Sequence, residues 1–173
     1  MKYIGVAAYS GEVKDIHKEK IRVLIDTLSK ECDVEDIILL LGGYWGLMKY
    51  IVDYSISKGF KVVLFPPLER EDVKFPSRCI VIRSGSSYRI RSNMLVRSSD
   101  ILIAAGGGGG TINEIVIAYL EGKNVYVLKN MGLPSDKMEL LGNYLDNRRT
   151  SVIKYYDRPE ELAREVCLDI SPL

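Results

Sequence analysis

Glutamine is absent from this chain of 173 residues, and threonine is scarce, while tyrosine, lysine, glutamate and isoleucine are abundant. Low glutamine with abundant lysine and glutamate is typical of thermophilic proteins, so we expect a thermophilic source. Histidine occurs once, at His17, which excludes a histidine-rich metal centre and argues against a Ser-His-Asp triad. We therefore expect no bound metal, and we interpret His17 as an ordinary polar residue entering the first helix.

The three cysteines, Cys32, Cys79 and Cys167, lie far apart in the sequence with no paired spacing. A scattered, odd-numbered set of this kind predicts reduced thiols in an intracellular protein. The apolar run at the start is short, and no uncharged apolar stretch approaches the ~20 residues that a membrane span needs. The sequence thus predicts a cytoplasmic protein without a signal peptide or a membrane segment.

Neither sign of charge is in excess, because 24 basic and 23 acidic residues leave a formal net charge of +1. A general nucleic-acid binder would be strongly basic, so the net charge argues against that class of function. A local group of basic residues is nevertheless present, formed by Arg83, Arg89, Arg91 and Arg97. Such a patch suits one small anionic ligand better than a polyanion.

Apolar segments alternate with helical periodicities along the whole chain. Strands are predicted near residues 2–8, 36–41, 61–65, 79–82, 101–105, 124–128 and 151–154, and helices near 15–30, 46–58, 87–99, 111–120, 135–146 and 158–167. Strands that are apolar throughout indicate a parallel sheet covered on both faces. We therefore expect an α/β fold, with residues 1–173 forming a single doubly wound, Rossmann-like domain. Its ligand would bind at the carboxyl ends of the strands, where the strand order reverses.

The most distinctive segment, residues 106–110, consists of five consecutive glycines between an apolar strand and Thr111. Glycines let the backbone turn sharply and bring bare N–H groups close to a ligand. The positive end of the following helix favours an anion in the same space. The segment therefore predicts a phosphate site whose ligand-binding residues are Gly107, Gly108, Gly109, Gly110 and Thr111.

Two common glycine motifs do not fit this segment. A dinucleotide fold needs Gly-x-Gly-x-x-Gly near the first strand and an acidic residue ~20 positions later. Here the glycines come late in the chain, and Lys129 and Asn130 occupy the acidic position. The phosphate loop of nucleoside triphosphatases needs a lysine before its Ser or Thr, and Gly110 precedes Thr111 instead. Nicotinamide binding and triphosphatase chemistry are therefore disfavoured.

A second pair of glycines, Gly42 and Gly43, ends another apolar strand and is followed by Tyr44 and Trp45. These glycines either contact the ligand or simply allow a tight turn from strand to helix. The aromatic side chains either stack on a purine or pterin ring or pack on the next helix. The sequence leaves both questions open.

Residues 91–114, together with the loop at 42–48, resemble the LONELY GUY phosphoribohydrolases and the related molybdenum-cofactor carrier proteins. In that superfamily an arginine-bearing helix leads through a strand into Pro-Gly-Gly-x-Gly-Thr-x-x-Glu, and an earlier loop reads Gly-Gly-x-x-Gly-Leu-Met. The resemblance implies catalytic roles for Arg91 and Glu114. Gly106 stands in place of the proline, and Ser92 in place of the lysine that usually follows the arginine. Both departures are nearer to the carrier branch.

The resemblance implies one of two functions. The first is hydrolysis of the N-glycosidic bond of a nucleoside 5′-monophosphate, without a cofactor, to a free base and ribose 5-phosphate. The second is a carrier or binding protein for molybdenum cofactor or another phosphorylated ligand, and a nucleotide-sensing module is a third, lower-ranked alternative. In each case the partner is a small phosphorylated ligand rather than a nucleic acid polymer or a membrane. A homo-oligomer, a dimer or a tetramer, is also implied.

A simpler explanation exists for one part of the motif. Thr111 and Glu114 also match the helix capping box Thr-x-x-Glu, which satisfies helix donors without any ligand. The glycines before Thr111 and the spacing to Arg91 favour the site over the cap.

Overall fold

The structure, a computed structural model, describes residues 1–171. Within these residues the strands form one parallel sheet in the order β4-β3-β2-β1-β5-β6-β7. The strands are β1 (Lys2–Ala7), β2 (Ile37–Leu41), β3 (Lys61–Leu64), β4 (Cys79–Val81), β5 (Ile101–Ala104), β6 (Val125–Leu128) and β7 (Ile153–Tyr156).

Helices cover both faces of this sheet. They are α1 (Asp15–Glu31), α2 (Gly46–Ser57), α3 (Tyr88–Ser98), α4 (Gly109–Leu120) and α5 (Pro159–Ile170). The helix α1 packs against α5 and α2 over one apolar core, while α3 packs against α4 over the other. The central strands are buried on both sides, which explains why they are apolar throughout. The predicted doubly wound α/β fold is confirmed.

Reversal of the strand order occurs between β1 and β5. The chain passes from β1 outward through β2, β3 and β4, then returns to place β5 on the other side of β1. Ile4 in β1 pairs with Ile101 in β5, and Val6 pairs with Leu41 in β2. In open parallel sheets the crevice at such a reversal is the place where ligands bind.

The last third of the chain departs most from the sequence prediction. Instead of a helix over 135–146, Pro134–Leu141 form a 3-10 helix, followed by irregular structure. Gly142, with φ of 74°, ends that segment in a conformation that favours glycine. The strand β7 begins at Ile153, not near residue 151, because Ile153 pairs with Val125 in the sheet.

Cys32 and Cys167 form a disulfide, so the expectation of three reduced thiols is wrong. Cys32 caps the end of α1, and Cys167 lies in α5. Because these helices pack side by side, the two Cα atoms lie 5.4 Å apart although the residues are separated by 135 positions in the sequence. Cys79 is a free, partly buried cysteine. Among the described residues, no helix combines the length and apolar character needed to cross a membrane.

Candidate functional site

A cavity of about 600 Å³ opens at the carboxyl ends of β1, β2 and β5. Its walls come from the loop after β1, the loop before α2, and the first turns of α3 and α4. This volume falls within the range of small-molecule binding sites. The cavity therefore lies where the topology predicts a ligand.

Arg91 and Glu114, which the sequence places 23 positions apart, meet in the wall of this cavity. The Arg91 Nη1 atom lies 3.1 Å from Glu114 Oε1, and the side chains are only 8% and 7% exposed. Arg91 belongs to α3 and Glu114 to α4, so the packing of these two helices forms the pair. Removal of water strengthens the attraction between the two charges.

Ser92 is a third member of this cluster, and the motif comparison assigned it no role. Its hydroxyl donates to Glu114 Oε1 at 2.9 Å, the same oxygen that accepts from Arg91. The hydrogen bonds of the described chain thus converge on Oε1 and leave Oε2 of Glu114 available to a ligand. The only indication of this contact in the sequence is that Ser92 directly follows Arg91.

Burial controls the protonation of this cluster. It raises the pKa of the Glu114 carboxyl above the usual glutamate value, and the opposing effects of Arg91 and Ser92 are smaller. Burial also lowers the pKa of the Arg91 guanidinium, which nevertheless remains a cation in proteins. A carboxyl with a raised pKa is well suited to accept and return a proton during a reaction.

Gly42 makes room for the arginine. A Cβ atom at position 42 would lie 1.6 Å from Arg91 Nη1, so any side chain at this position would displace the guanidinium. Gly42 also lines the cavity. Gly43 has a different neighbour, because a Cβ there would lie 2.2 Å from the ring of Trp45. Both glycines are therefore explained by close side-chain approach.

The first two glycines of the run shape the loop. Gly106 has φ of 86°, and a Cβ there would lie 2.8 Å from Met131. The Gly107 N–H donates to Ser135 Oγ at 2.9 Å, and a Cβ on Gly107 would lie 2.0 Å from Thr111 Oγ1. The Gly107 N–H is therefore already hydrogen-bonded. Of the predicted phosphate-binding residues, those with an available N–H are reduced to residues 108–111.

The next three glycines leave bare backbone at the cavity. Gly108, Gly109 and Gly110 line it, and a Cβ on any of them would meet no atom of the described residues within 4 Å. The first N–H bonded within α4 is that of Ile112, which donates to the Gly108 carbonyl. The N–H groups of Gly109, Gly110 and Thr111 therefore have no hydrogen-bond partner among residues 1–171 and are available to an anion.

The capping-box alternative does not describe this helix. Gly108 occupies the cap position of α4, and Thr111 is the third helical residue. The Glu114 carboxylate accepts hydrogen bonds from Arg91 and Ser92, whereas in a capping box it would accept one from a backbone N–H at the start of the helix.

Trp45 and Tyr44 take different positions. Trp45 lines the cavity, and the guanidinium of Arg70 lies 5.3 Å from its ring centre. The Tyr44 hydroxyl donates to Asp53 Oδ1 at 2.6 Å and accepts from Lys49 Nζ at 2.8 Å. Of the two aromatic residues proposed to stack on a base, the structure brings Trp45 to the site and turns Tyr44 toward α2.

The predicted four-arginine patch is divided in the structure. Arg89 and Arg91 line the cavity. Arg83 donates to the Glu71 carbonyl at 3.1 Å, and Arg97 lies 3.8 Å from the Glu121 carboxylate. Their proximity in sequence therefore does not produce one basic surface.

A protein of Archaeoglobus fulgidus, described as uncharacterized, is 40% identical to this chain over 92 residues. The match covers 53% of this chain and 60% of that relative, so it spans less than two thirds of the relative's length.

Solved structures resemble almost the whole chain. TM1055 has a TM-score of 0.84 and 29% identity, covering 98% of this chain and all of its own. The molybdenum cofactor binding protein of Rippkaea orientalis has a TM-score of 0.76 and 22% identity, covering 98% and 96%. The molybdenum cofactor carrier protein of Chlamydomonas reinhardtii has a TM-score of 0.74 and 22% identity, covering 95% of each chain. The latter two likenesses concern the fold.

The model of the SLOG cluster4 family matches residues 1–163. This range includes every strand of the sheet, the glycine run and the Arg91–Glu114 pair. The chain belongs to the SLOG cluster4 family.

Proposed function

We propose that this chain binds a nucleoside 5′-monophosphate in the cavity and hydrolyses its N-glycosidic bond. The observation that carries this proposal is the buried Glu114 carboxylate, held on Oε1 and open on Oε2, beside the free N–H groups of α4. A carboxylate so close to an anion site has an electrostatic cost, and a chemical role for it explains the arrangement.

The phosphate would bind at the start of α4. The N–H groups of Gly109, Gly110 and Thr111 precede the first helical hydrogen bond, and the helix dipole adds positive potential there. Arg89 lines the same cavity and contributes a positive charge. The aromatic ring of Trp45, on another wall, offers a surface for the base.

The reaction would proceed through a cation-like sugar. The bond between C1′ and the base nitrogen breaks, and its electron pair leaves with the base. The oxygen of a water molecule bonds to C1′, and Glu114 Oε2 accepts the proton that this water loses and returns it to the departed base. The negative carboxylate also stabilises the positive charge on the sugar in the transition state. The products are the free base and ribose 5-phosphate.

The test is chromatography of a panel of nucleoside 5′-monophosphates after incubation with the protein. We expect release of free base by the wild type and at least a roughly hundred-fold lower rate for Glu114→Gln, which cannot act as a base. Glu121→Gln is the matched control, since Glu121 lies at the far end of the same helix and pairs with Arg97 on the surface. Equal rates for Glu114→Gln and the wild type would reject the mechanism.

A carrier or binding protein is the second candidate. It is favoured by the fold shared with the molybdenum cofactor binding protein of Rippkaea orientalis and by Ser92, which stands where the hydrolases carry lysine. The cavity would then hold the phosphate of a pterin ligand at α4 without any bond breaking. Retention of a phosphorylated pterin through gel filtration, with no base released from any nucleotide, would favour this candidate over the hydrolase.

We also propose that the chain forms a homo-oligomer. The helix α4 is apolar on more than its buried face, since Ile112, Val116 and Ile117 are only partly buried and Leu120 is 48% exposed. Covering this face would remove apolar surface from water. Light scattering tests the proposal, and a monomer at micromolar concentration would reject it.

A further inference from the structure

Ser92 occupies the position at which the resembled hydrolases carry a lysine, and here it contacts the carboxylate directly. Its Oγ lies 2.9 Å from Glu114 Oε1 and 3.1 Å from the Tyr88 carbonyl oxygen. The residue is 4% exposed, so the hydroxyl is largely shielded from water. The contact is therefore a defined part of the cavity wall.

The hydroxyl has a single hydrogen and two candidate acceptors. An ionised carboxylate accepts a stronger hydrogen bond than a neutral carbonyl does. In addition, the Tyr88 carbonyl is four residues before Ser92 in α3, so it accepts the Ser92 backbone N–H by the ordinary helical pattern. The hydrogen therefore goes to Glu114 when that residue is ionised.

Two hydrogen-bond donors on Oε1 of Glu114 determine which carboxylate oxygen can accept a proton from the cavity. Arg91 Nη1 and Ser92 Oγ both reach Oε1, at 3.1 and 2.9 Å. Oε1 is thereby fixed in the wall, and a proton taken from the cavity goes to Oε2. The other charged and titratable side chains that line the cavity are Tyr9, Tyr88 and Arg89, which make no hydrogen bond to Glu114 within residues 1–171.

We propose that Ser92 is a positioning residue for Glu114, because it holds Oε1 as a neutral donor beside Arg91 and so directs proton exchange to Oε2. A lysine in the same place would favour the ionised carboxylate and oppose its protonation. This inference rests on the proposed function, in which Glu114 accepts and returns a proton at Oε2.

The test is a pH titration of the Glu114 side-chain carboxyl by carbon-13 nuclear magnetic resonance, with Glu114→Gln used to assign the signal. Loss of the hydroxyl donor in Ser92→Ala should move the titration midpoint upward, because the ionised form loses a hydrogen bond. The added charge in Ser92→Lys should move the midpoint downward. Ser92→Thr keeps the hydroxyl and should restore the wild-type midpoint.

Ser98→Ala is the matched control, since Ser98 is an exposed serine on the same helix. Midpoints that are equal in Ser92→Ala, Ser98→Ala and the wild type would overturn the inference. If Ser92→Lys fails to fold, the upward shift in Ser92→Ala and its absence in Ser92→Thr still decide the question. The titration needs no substrate, so its failure is distinct from failure of the hydrolase assay. Where base release is observed, the acid limb of the kcat profile should move with the same sign in each variant.

Discussion

A Cβ atom at Gly42 would lie 1.6 Å from Nη1 of Arg91, so the guanidinium occupies the space that a side chain at position 42 would fill. This contact joins the end of β2 to α3, and the ion pair joins α3 to Glu114 in α4. The loop after β2 therefore leaves the space in which the Arg91 guanidinium lies, although it contributes no charge of its own.

The first prediction concerns Gly42→Ala. The new methyl group displaces the Arg91 guanidinium and separates it from Glu114, leaving two buried charges without their partner. Breaking a buried pair of this kind costs about 3 kcal/mol or more in the free energy of unfolding. Urea unfolding of the variant and the wild type measures this loss.

Gly108→Ala is the control for that experiment, because a Cβ at Gly108 would meet nothing within 4 Å. It should lose no more than about 1 kcal/mol, because alanine is less favourable than glycine at a helix cap but meets no steric conflict there. Equal destabilisation by Gly42→Ala and Gly108→Ala would show that the contact between Gly42 and Arg91 does not explain the loss.

The second prediction concerns Gly110→Ala. A Cβ at Gly110 meets open space, and the residue lies in the first turn of α4, where alanine stabilises a helix by up to about 1 kcal/mol relative to glycine. The same methyl group occupies space beside the free N–H groups at the cavity. We therefore expect unchanged or higher thermal stability together with weaker binding of a nucleoside monophosphate, by roughly ten-fold or more.

Gly106→Ala should behave in the opposite way. The φ of 86° at Gly106 is unfavourable for alanine, and its Cβ would lie 2.8 Å from Met131. The variant should lose stability by about 1–3 kcal/mol. Calorimetry of the two variants therefore tests whether Gly106 is required for stability and Gly110 for ligand binding. A stability loss in Gly110→Ala similar to that in Gly106→Ala would contradict this assignment.

The sequence predicts the fold well because its central strands are apolar on both faces. Adjacent residues such as Leu39 and Leu40 of β2 are buried in the two opposite cores, so the strand shows no alternation that would indicate an exposed sheet face. The glycine run also identifies the cavity, since few other arrangements require five glycines between a strand and a helix. Both features are formed by residues adjacent in the sequence, so they can be recognised without the structure.

The contacts that complete the site are not local. Ser92 bonds to a residue 22 positions later, and Gly42 makes room for an arginine 49 positions later in the chain. The disulfide joins Cys32 to Cys167 only because α1 and α5 are neighbours in space. The sequence spacing of these pairs does not identify them, so the contacts can be recognised only in the three-dimensional structure.

The third prediction uses Trp45, which is the single tryptophan of the chain and lines the cavity. Ligand binding should change its fluorescence, because a bound base alters the surroundings of the indole ring. Trp45→Ala should weaken binding by roughly ten-fold, in keeping with the loss of one aromatic stacking contact. Calorimetric titration with a nucleoside monophosphate measures that loss.

Tyr44→Phe is the matched control for Trp45→Ala. It removes only the hydroxyl that bonds to Asp53 and Lys49 beside α2. We expect ligand affinity within about two-fold of the wild type, since a surface hydrogen bond contributes little. Equal weakening by the two substitutions would show that Tyr44, too, acts in binding.

The fourth prediction concerns the disulfide between α1 and α5. Thiol titration of the denatured, unreduced protein should find one thiol per chain, that of Cys79, and reduction should release the other two. A disulfide that closes a long loop stabilises a protein by about 3 kcal/mol. For a chain of this size, reduction should therefore lower the midpoint of thermal unfolding by roughly 10 °C.

Two variants show whether this loss comes from the disulfide. Cys79→Ser leaves the disulfide intact. Its midpoint of thermal unfolding should therefore equal that of the wild type without reductant and fall by the same number of degrees when reductant is added. The double variant Cys32→Ser, Cys167→Ser should already have the lower midpoint and should not respond to reductant. If three thiols titrate in the denatured wild type, or if reductant leaves its midpoint unchanged, then α1 and α5 are held together by their apolar contacts alone. In that case Ile25 and Val166, both buried in the shared core, become the residues whose truncation should loosen α5 from the sheet.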